Sequence, residues 1–429
     1  MKCLRTLAAL AFGIFLSAGA FAIDFNDYFE NRTLRMDYIF SGDNRHQVIS
    51  LDGLCQSPGW YGRRGNLDSL LLAGNGQITV TIPESGKVIY RHSFSTLFQE
   101  WQSSEEAARV QKSFENVFLV PFPKQIVDVH VTLTDTHNKV SADFTHRVDP
   151  KDILIRRIGE QGITPWHYAY KGGDPADVID VAIVAEGYTE NDMQQFEEDV
   201  KMAVDAYQSH EPFKSLKQKF NFIAVKAVSQ ESGVSIPHDN IWKNTVLSSN
   251  FDTFYSERYL TTLRIKKLHD ILSGIPYEHI IILVNSDHYG GGGVYNNYML
   301  STARNQKTRP VIVHEFGHSF GGLADEYFYD DQYEPMYPTD TEPWEPNITT
   351  LVNFDSKWRD MLPKKTAIPT VADGKDIYKK LGVYEGAGYS SKGVYRPVQE
   401  CRMKINEAPD FCPVCDRAIR RIVDFYLSK

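Results

Sequence analysis

HEFGHSFGGLADEY, residues 314–327, sets two histidines four positions apart with a glutamate directly after the first. On a helix, positions i and i+4 share one face, so His314 and His318 can both reach a single ion. The carboxylate of Glu315 then stands where it can take a proton from a water at that ion. Gly321 and Gly322 can end the helix and turn the chain back. A catalytic zinc takes three protein ligands and keeps one position open. Asp325, just past the turn, is the expected third ligand, with Glu326 as the alternative; the unused acid would orient a ligand histidine. His-Glu-x-x-His is a short motif by itself. The β-branched run Val311–Val313 before it, the Gly pair and the acids after it all favour a site for one zinc ion over two structural histidines.

Outward from this helix, strands and helices alternate. DVAIVAEGY (180–188), FNFIAVKAV (220–228) and HIIILVNS (279–286) read as buried strands. Thr189 and Asp192 form a capping box ahead of Met193, Phe196, Val200, Val204 and Tyr207, which recur at helical spacing. YLTTLRIKKLHDILS (259–273) reads as a second amphipathic helix, and CDRAIRRIVDFYL (415–427) as a last one. The four glycines at 290–293 lack a following Gly-Lys-Ser/Thr and do not make a phosphate loop. They read as a turn before VYNNYML, whose residues 294–300 are expected to form an edge strand able to pair with an extended peptide.

The first half has a different texture. GQITVTIP, GKVIYRHSF, NVFLVPFP and IVDVHVTLTDT alternate apolar and polar residues between turn formers, the pattern of an antiparallel β-sandwich. A helical interruption is expected near SSEEAARVQKSF (103–114). His92, His130, His137 and His146 are scattered among these strands without catalytic spacing and read as surface or packing residues. Ahead of the strands, Lys2 and Arg5 precede LAALAFGIFL, an apolar run too short to span a bilayer, and Ala20-Phe21-Ala22 has cleavage-site character. The expected organisation is a leader over 1–22, a β-sandwich over 23–150, a linker over 151–176, and an α/β domain with its zinc site over 177–429. The mature chain is then exported, secreted or periplasmic, with no transmembrane segment.

A net charge of -9 without a basic cluster excludes a nucleic-acid partner. Export permits disulfides. Cys401, Cys412 and Cys415 gather around one loop, so a bridge from Cys401 to Cys412 or Cys415 is expected, with a structural zinc at CPVC as the rival.

HEFGHSFGGLADEY, the segments VAIVAEGYTENDMQQF and SGVSIP, and YRPVQECRMK with FCPVCDRAI together resemble the M64 family of secreted bacterial metallopeptidases, often named for an immunoglobulin A peptidase. The resemblance covers about residues 175–429, and the strand-rich half is similar to the family's N-terminal domain. It implies a metzincin-like α/β zinc-peptidase domain, in which Met403 matches the methionine turn beneath the metal. The chain departs from the common metzincin pattern in one respect. The third ligand there follows the first histidine by ten residues, where this chain has Ala324. That offset keeps both Asp325 and Glu326 open.

These readings combine into an exported zinc endopeptidase in which Glu315 is the general base. Tyr395 and Tyr327 are candidates to stabilise the oxyanion. The substrate is expected to be a protein or peptide, and the N-terminal half could bind a glycan or surface partner. The alternatives are a glycan- or host-protein-binding protein with a degenerate peptidase domain, and a zinc amidase acting on cell-wall peptide. Retention of Glu315 argues against the first.

Overall fold

The computed structural model describes residues 23–329 and 335–428; the leader expected over 1–22 lies outside them. A short helix α1 (Phe25–Tyr28) opens the first half. Strands β1 (Phe29–Gly42), β2 (Gln47–Pro58), β3 (Gly76–Ile82), β4 (Lys87–Phe94), β5 (Lys112–Pro123), β6 (Val127–Thr134), β7 (Val140–Val148) and β8 (Arg156–Arg157) follow. They form two four-stranded sheets, ordered β5-β1-β2-β8 and β4-β3-β6-β7. Alternate residues of β3 and β6 point inward, as the sequence pattern requires: Ile78, Val80 and Ile82, and Val127, Val129, Val131 and Leu133. Both sheets close on one aromatic core, in which the rings of Phe94 and Phe118 lie 4.0 Å apart. Helix α2 (Leu97–Gln102) forms earlier in the sequence than anticipated. Thr96 caps it, and Phe98 and Trp101 anchor it in the core; only a 3-10 turn follows, at Glu105–Ala108.

The stretch expected to be a linker, 151–176, instead adds a strand to each half. β8 pairs with β2, and β9 (Trp166–Lys171) edges the second sheet. That sheet contains β10 (Ile179–Glu186), β11 (Phe220–Val225), β12 (His279–Val284), β13 (Gly291–Val294) and β14 (Tyr298–Thr302), in the order β13-β14-β12-β10-β11-β9. Its four interior strands are parallel, and both edges are antiparallel. Every residue of β10, β11 and β12 is buried, which is why these strands read as unbroken apolar runs.

Helices cover both faces of this sheet. On one face pack α3 (Met193–Ser209), the short α4 (Phe213–Leu216) and, further along the chain, α6 (Thr308–Ser319) and α7 (Pro413–Leu427). On the other packs α5 (Ile265–Ile271). Strand β10 divides its side chains between them: Val181, Ile183 and Ala185 join the core under α3 and α6, while Ala182 and Val184 face α5. The capping box forms as read, with Asp192 Oδ2 accepting from the Thr189 backbone N–H at 2.9 Å. A two-stranded hairpin, β15 (Tyr384–Ala387) and β16 (Ser390–Arg396), flanks the helical face.

Two local expectations are corrected. The helix anticipated over 259–273 forms only over Ile265–Ile271. The preceding residues run extended, because Leu260 N–H donates to Gly291 O at 3.2 Å and Tyr259 bridges to Gly291. Residues 294–300 do not form the edge strand, since β14 lies between β13 and β12. The glycine run itself makes the edge, and Arg258–Leu260 already occupies it at Gly291.

The glycines let α6 lie almost against this edge. A Cβ on Gly293 would sit 2.5 Å from the backbone oxygen of Glu315 and 3.0 Å from His318 Cβ. Nothing there can yield cheaply, since one of the obstructing atoms is backbone. Gly293→Ala should therefore cost about 1–3 kcal/mol by overpacking. Gly53→Ala, whose added carbon meets nothing within 4 Å, should stay within about 0.5 kcal/mol of wild type. Denaturant midpoints read both, and equal midpoints for the two variants would refute the close approach.

Candidate active site

Helix α6 carries His314, Glu315 and His318 on the side facing a cleft of about 660 Å³. It ends with Gly322 in the left-handed region, φ +56°, and Gly322 N–H donates to His318 O at 3.0 Å. The chain then reverses, as the Gly pair predicts, and carries Asp325 back toward the histidines.

The two imidazoles are fixed at their outer nitrogens. His314 Nδ1 lies 2.9 Å from Arg402 O, and His318 Nδ1 lies 2.6 Å from Leu323 O. A carbonyl only accepts, so both Nδ1 atoms carry the proton and both Nε2 atoms present lone pairs. Those Nε2 atoms face each other at 3.0 Å. Asp325 Oδ1 completes the group, 3.1 Å from His314 Nε2 and 3.3 Å from His318 Nε2. It is buried and has no hydrogen-bond donor of its own, while Oδ2 accepts from the Tyr389 hydroxyl at 2.6 Å.

Two lone pairs and an anionic oxygen converging at this range require a positive charge between them. Protonation supplies it in part. Burial disfavours a charged His318, but Asp325 and Glu315 outweigh burial and raise its pKa to about 9. Burial likewise opposes ionisation of Asp325, yet the neighbouring histidines hold its carboxyl well below the usual range. A divalent ion meets the same demand, and two imidazoles with one carboxylate match the donor set of a catalytic zinc. The residues therefore fit the metal that the motif implies.

Asp325 and Glu326 are separated by backbone geometry. Asn347 clamps the loop, its Oδ1 accepting from Ala324 N–H at 2.8 Å and its Nδ2 donating to Ala324 O at 2.9 Å. Glu326 N–H donates to Met403 O at 2.8 Å. With both flanks held, successive side chains point to opposite sides. Asp325 faces the histidines; Glu326, fully buried, faces Cys401, Cys412 and Cys415. Met403 is also fully buried, and its Sδ fills the space a Cβ on Gly317 would take, 2.7 Å away, so it packs directly under α6.

Glu315 lies next to the His–His–Asp group, its carboxylate within 4.8 Å of the imidazole nitrogens. Burial raises its pKa, opposed by the charges of His314 and His318. Tyr327 and Tyr389 line the cleft, whereas Tyr395 does not; Tyr395 sits on β16, paired through its backbone with Thr349. Arg258 brings a guanidinium to the cleft, 5.7 Å from the rings of both Tyr327 and Tyr329.

The N-terminal half supplies one wall. Asn75, Ser95 and Glu100 line the cleft, and Tyr259 OH donates to Glu100 Oε2. Burial raises the Glu100 carboxyl to about 7. No sequence signal marked Glu100, Arg258, Asn347 or Tyr389, because none lies near the motif in the chain. The glycan or surface partner anticipated for this half finds no support; its residues contribute to the cleft instead.

No helix among the described residues is long and apolar enough to cross a membrane. A family model described as IgA Peptidase M64 matches residues 169–377 and 371–423, and one described as Peptidase M64 N-terminus matches residues 24–145. No curated protein matches the chain.

If an ion is held here, Asp325 is the carboxylate placed to be its third ligand, and the Tyr389 hydroxyl is the group that would orient it. Asp325→Ala should abolish zinc binding at this group, and Tyr389→Phe should weaken it about 10–100-fold. Competition against a chromophoric chelator measures both; an Asp325→Ala chain that binds zinc there as tightly as wild type would exclude the carboxylate as a ligand.

Proposed function

The chain belongs to the M64 peptidase family, and on that premise we propose that it is an exported zinc-dependent endopeptidase with a metzincin-like catalytic domain. The observation that carries this reading is the convergence of His314 Nε2, His318 Nε2 and the unpartnered Asp325 Oδ1 beside Glu315. Met403, packed under α6, takes the part of the methionine turn. The charged leader over 1–22 supports export.

His314, His318 and Asp325 would hold the ion. Zinc bound by them supplies Lewis acidity, which acidifies water and polarises a scissile carbonyl. Glu315 accepts the proton of the attacking water and returns it to the departing amine. Its raised pKa suits the first half of that transfer, since a carboxylate in the usual range is a weaker base. Tyr327 and Arg258 replace Tyr395 as the donors available to a developing oxyanion. The cleft walls come from the glycine edge of β13, the Tyr327–Tyr389 side and the first half of the chain, and a polypeptide would lie between them.

The intact Glu315 beside its histidines weighs against a degenerate, purely binding domain. Glu315→Gln should lower kcat by about 10²–10⁴ while the metal stays bound. Turnover of casein-like unfolded proteins and synthetic peptides, with zinc content measured in parallel, tests this. Activity within tenfold of wild type would remove Glu315 from the mechanism. Cleavage of peptidoglycan stem peptides but of no protein would favour the cell-wall amidase.

A further inference from the structure

On the far side of the Asp325 loop, the structure brings together three cysteines and a glutamate that the proposed catalysis does not use. Glu326, Cys401, Cys412 and Cys415 are all buried, and their ligand atoms lie within 4.8 Å of one another. We propose that they form a second, structural metal site, taking zinc or a similarly thiophilic divalent ion.

The sulfur spacing distinguishes this from the disulfide expected from sequence. Cys401 Sγ and Cys415 Sγ are 3.8 Å apart, and all three cysteines are free. A disulfide would require about 2.05 Å. Four-coordinate zinc with Zn–S bonds of about 2.3 Å sets neighbouring sulfurs about 3.8 Å apart. The carboxylate edge agrees as well: Glu326 Oε1 lies 3.3 Å from Cys415 Sγ, close to the roughly 3.5 Å that a tetrahedron with a Zn–O bond of about 2.0 Å would give.

A second observation is independent of the sulfurs. Glu326 is fully buried, and its Oε2 has no hydrogen-bond partner. Its Oε1 accepts only from Asn347 Nδ2 at 3.0 Å and from Cys415. A buried carboxylate with one bare oxygen is costly unless a proton or a cation neutralises it, and the three thiols set against it are ligands that favour a thiophilic cation. Three thiolates and a carboxylate around a divalent ion leave net negative charge, and the buried guanidinium of Arg396 lies close enough to interact with Glu326.

The sequence hid this site because CPVC supplies only two ligands. The third, Cys401, comes from eleven residues upstream, and the fourth is the acid beside the proposed third ligand of the first site. The consequence is mechanical. Cys401 adjoins Arg402, whose carbonyl fixes His314, and precedes Met403 under α6; Glu326 adjoins Asp325; Cys412 and Cys415 open α7. One buried ion would therefore fasten together the loop, the floor and the last helix that surround the catalytic group.

The test is metal and thiol analysis of the full chain purified without reductant. Wild type should carry two zinc per chain and Asp325→Ala one. Cobalt-loaded Asp325→Ala should show the intense sulfur-to-cobalt charge-transfer absorption that histidine and carboxylate ligands cannot produce. Cys412→Ser/Cys415→Ser should lose that absorption. Should the double variant fail to fold, the wild-type and Asp325→Ala measurements decide alone. A zinc-free Asp325→Ala chain without the cobalt band overturns the site, as does a Cys401–Cys412, Cys401–Cys415 or Cys412–Cys415 disulfide found by mass spectrometry. Retention of the band in a chain whose histidine group binds no metal would leave this site standing and count only against the peptidase mechanism.

Discussion

Two imidazole nitrogens held lone pair to lone pair at 3.0 Å make the constraint around which the second half is built. Left alone, they would turn apart. They stay because each ring is pinned from behind, one by the carbonyl of Arg402 and one by that of Leu323. Both carbonyls need placing in turn. Leu323 is set by the left-handed glycine that reverses the chain, and Arg402 by a segment wedged beneath α6. The helix itself can reach its position only because β13 offers glycines where any side chain would collide with it. Close packing, backbone acceptors and a buried carboxylate thus act on a pair of groups that positive charge, from a proton or a metal ion, reconciles.

Much of this was legible where the information is local. The buried parallel strands were readable as unbroken apolar runs, α3 from its cap and spacing, and α6 from His-Glu-x-x-His between the run Val311–Val313 and the Gly pair. The soft points were those decided by partners distant in the chain. Asp325 and Glu326 are neighbours of the same chemistry, and Asn347 and Met403 orient them. Residues 259–264 have helical periodicity, yet pairing with the glycine edge keeps them extended. The glycine run looked like a flexible turn; it is a strand whose bareness admits a helix. Tyr395 stands on β16 away from the cleft, whereas Tyr389, on the same hairpin, is the phenol that reaches Asp325.

The first half is more than an appendage. Ser95 N–H donates to Tyr295 O and Trp344 donates to Asn75, both beside the cleft, and Asn296 Nδ2 donates to Ser93 O next to them in the chain. Further off, Arg35 joins Asp37 within its own sheet and Asp270 on the other side of the boundary, both at 2.7 Å. Such pairs contribute modestly where water reaches them. Their value here is positional, since they fix the wall containing Glu100 relative to α6.

The acceptor behind His314 belongs to a residue 88 positions further along the chain. While the ribosome is still making residues short of Arg402, the first imidazole has no carbonyl to lean on and α6 has no methionine beneath it. Asn66, near the beginning, bonds to the carbonyl of Phe425, almost at the end. The His–His–Asp group is therefore among the last features a growing chain can complete, and nascent fragments of this protein inside the cell that makes it hold its histidines without the framework that aligns them.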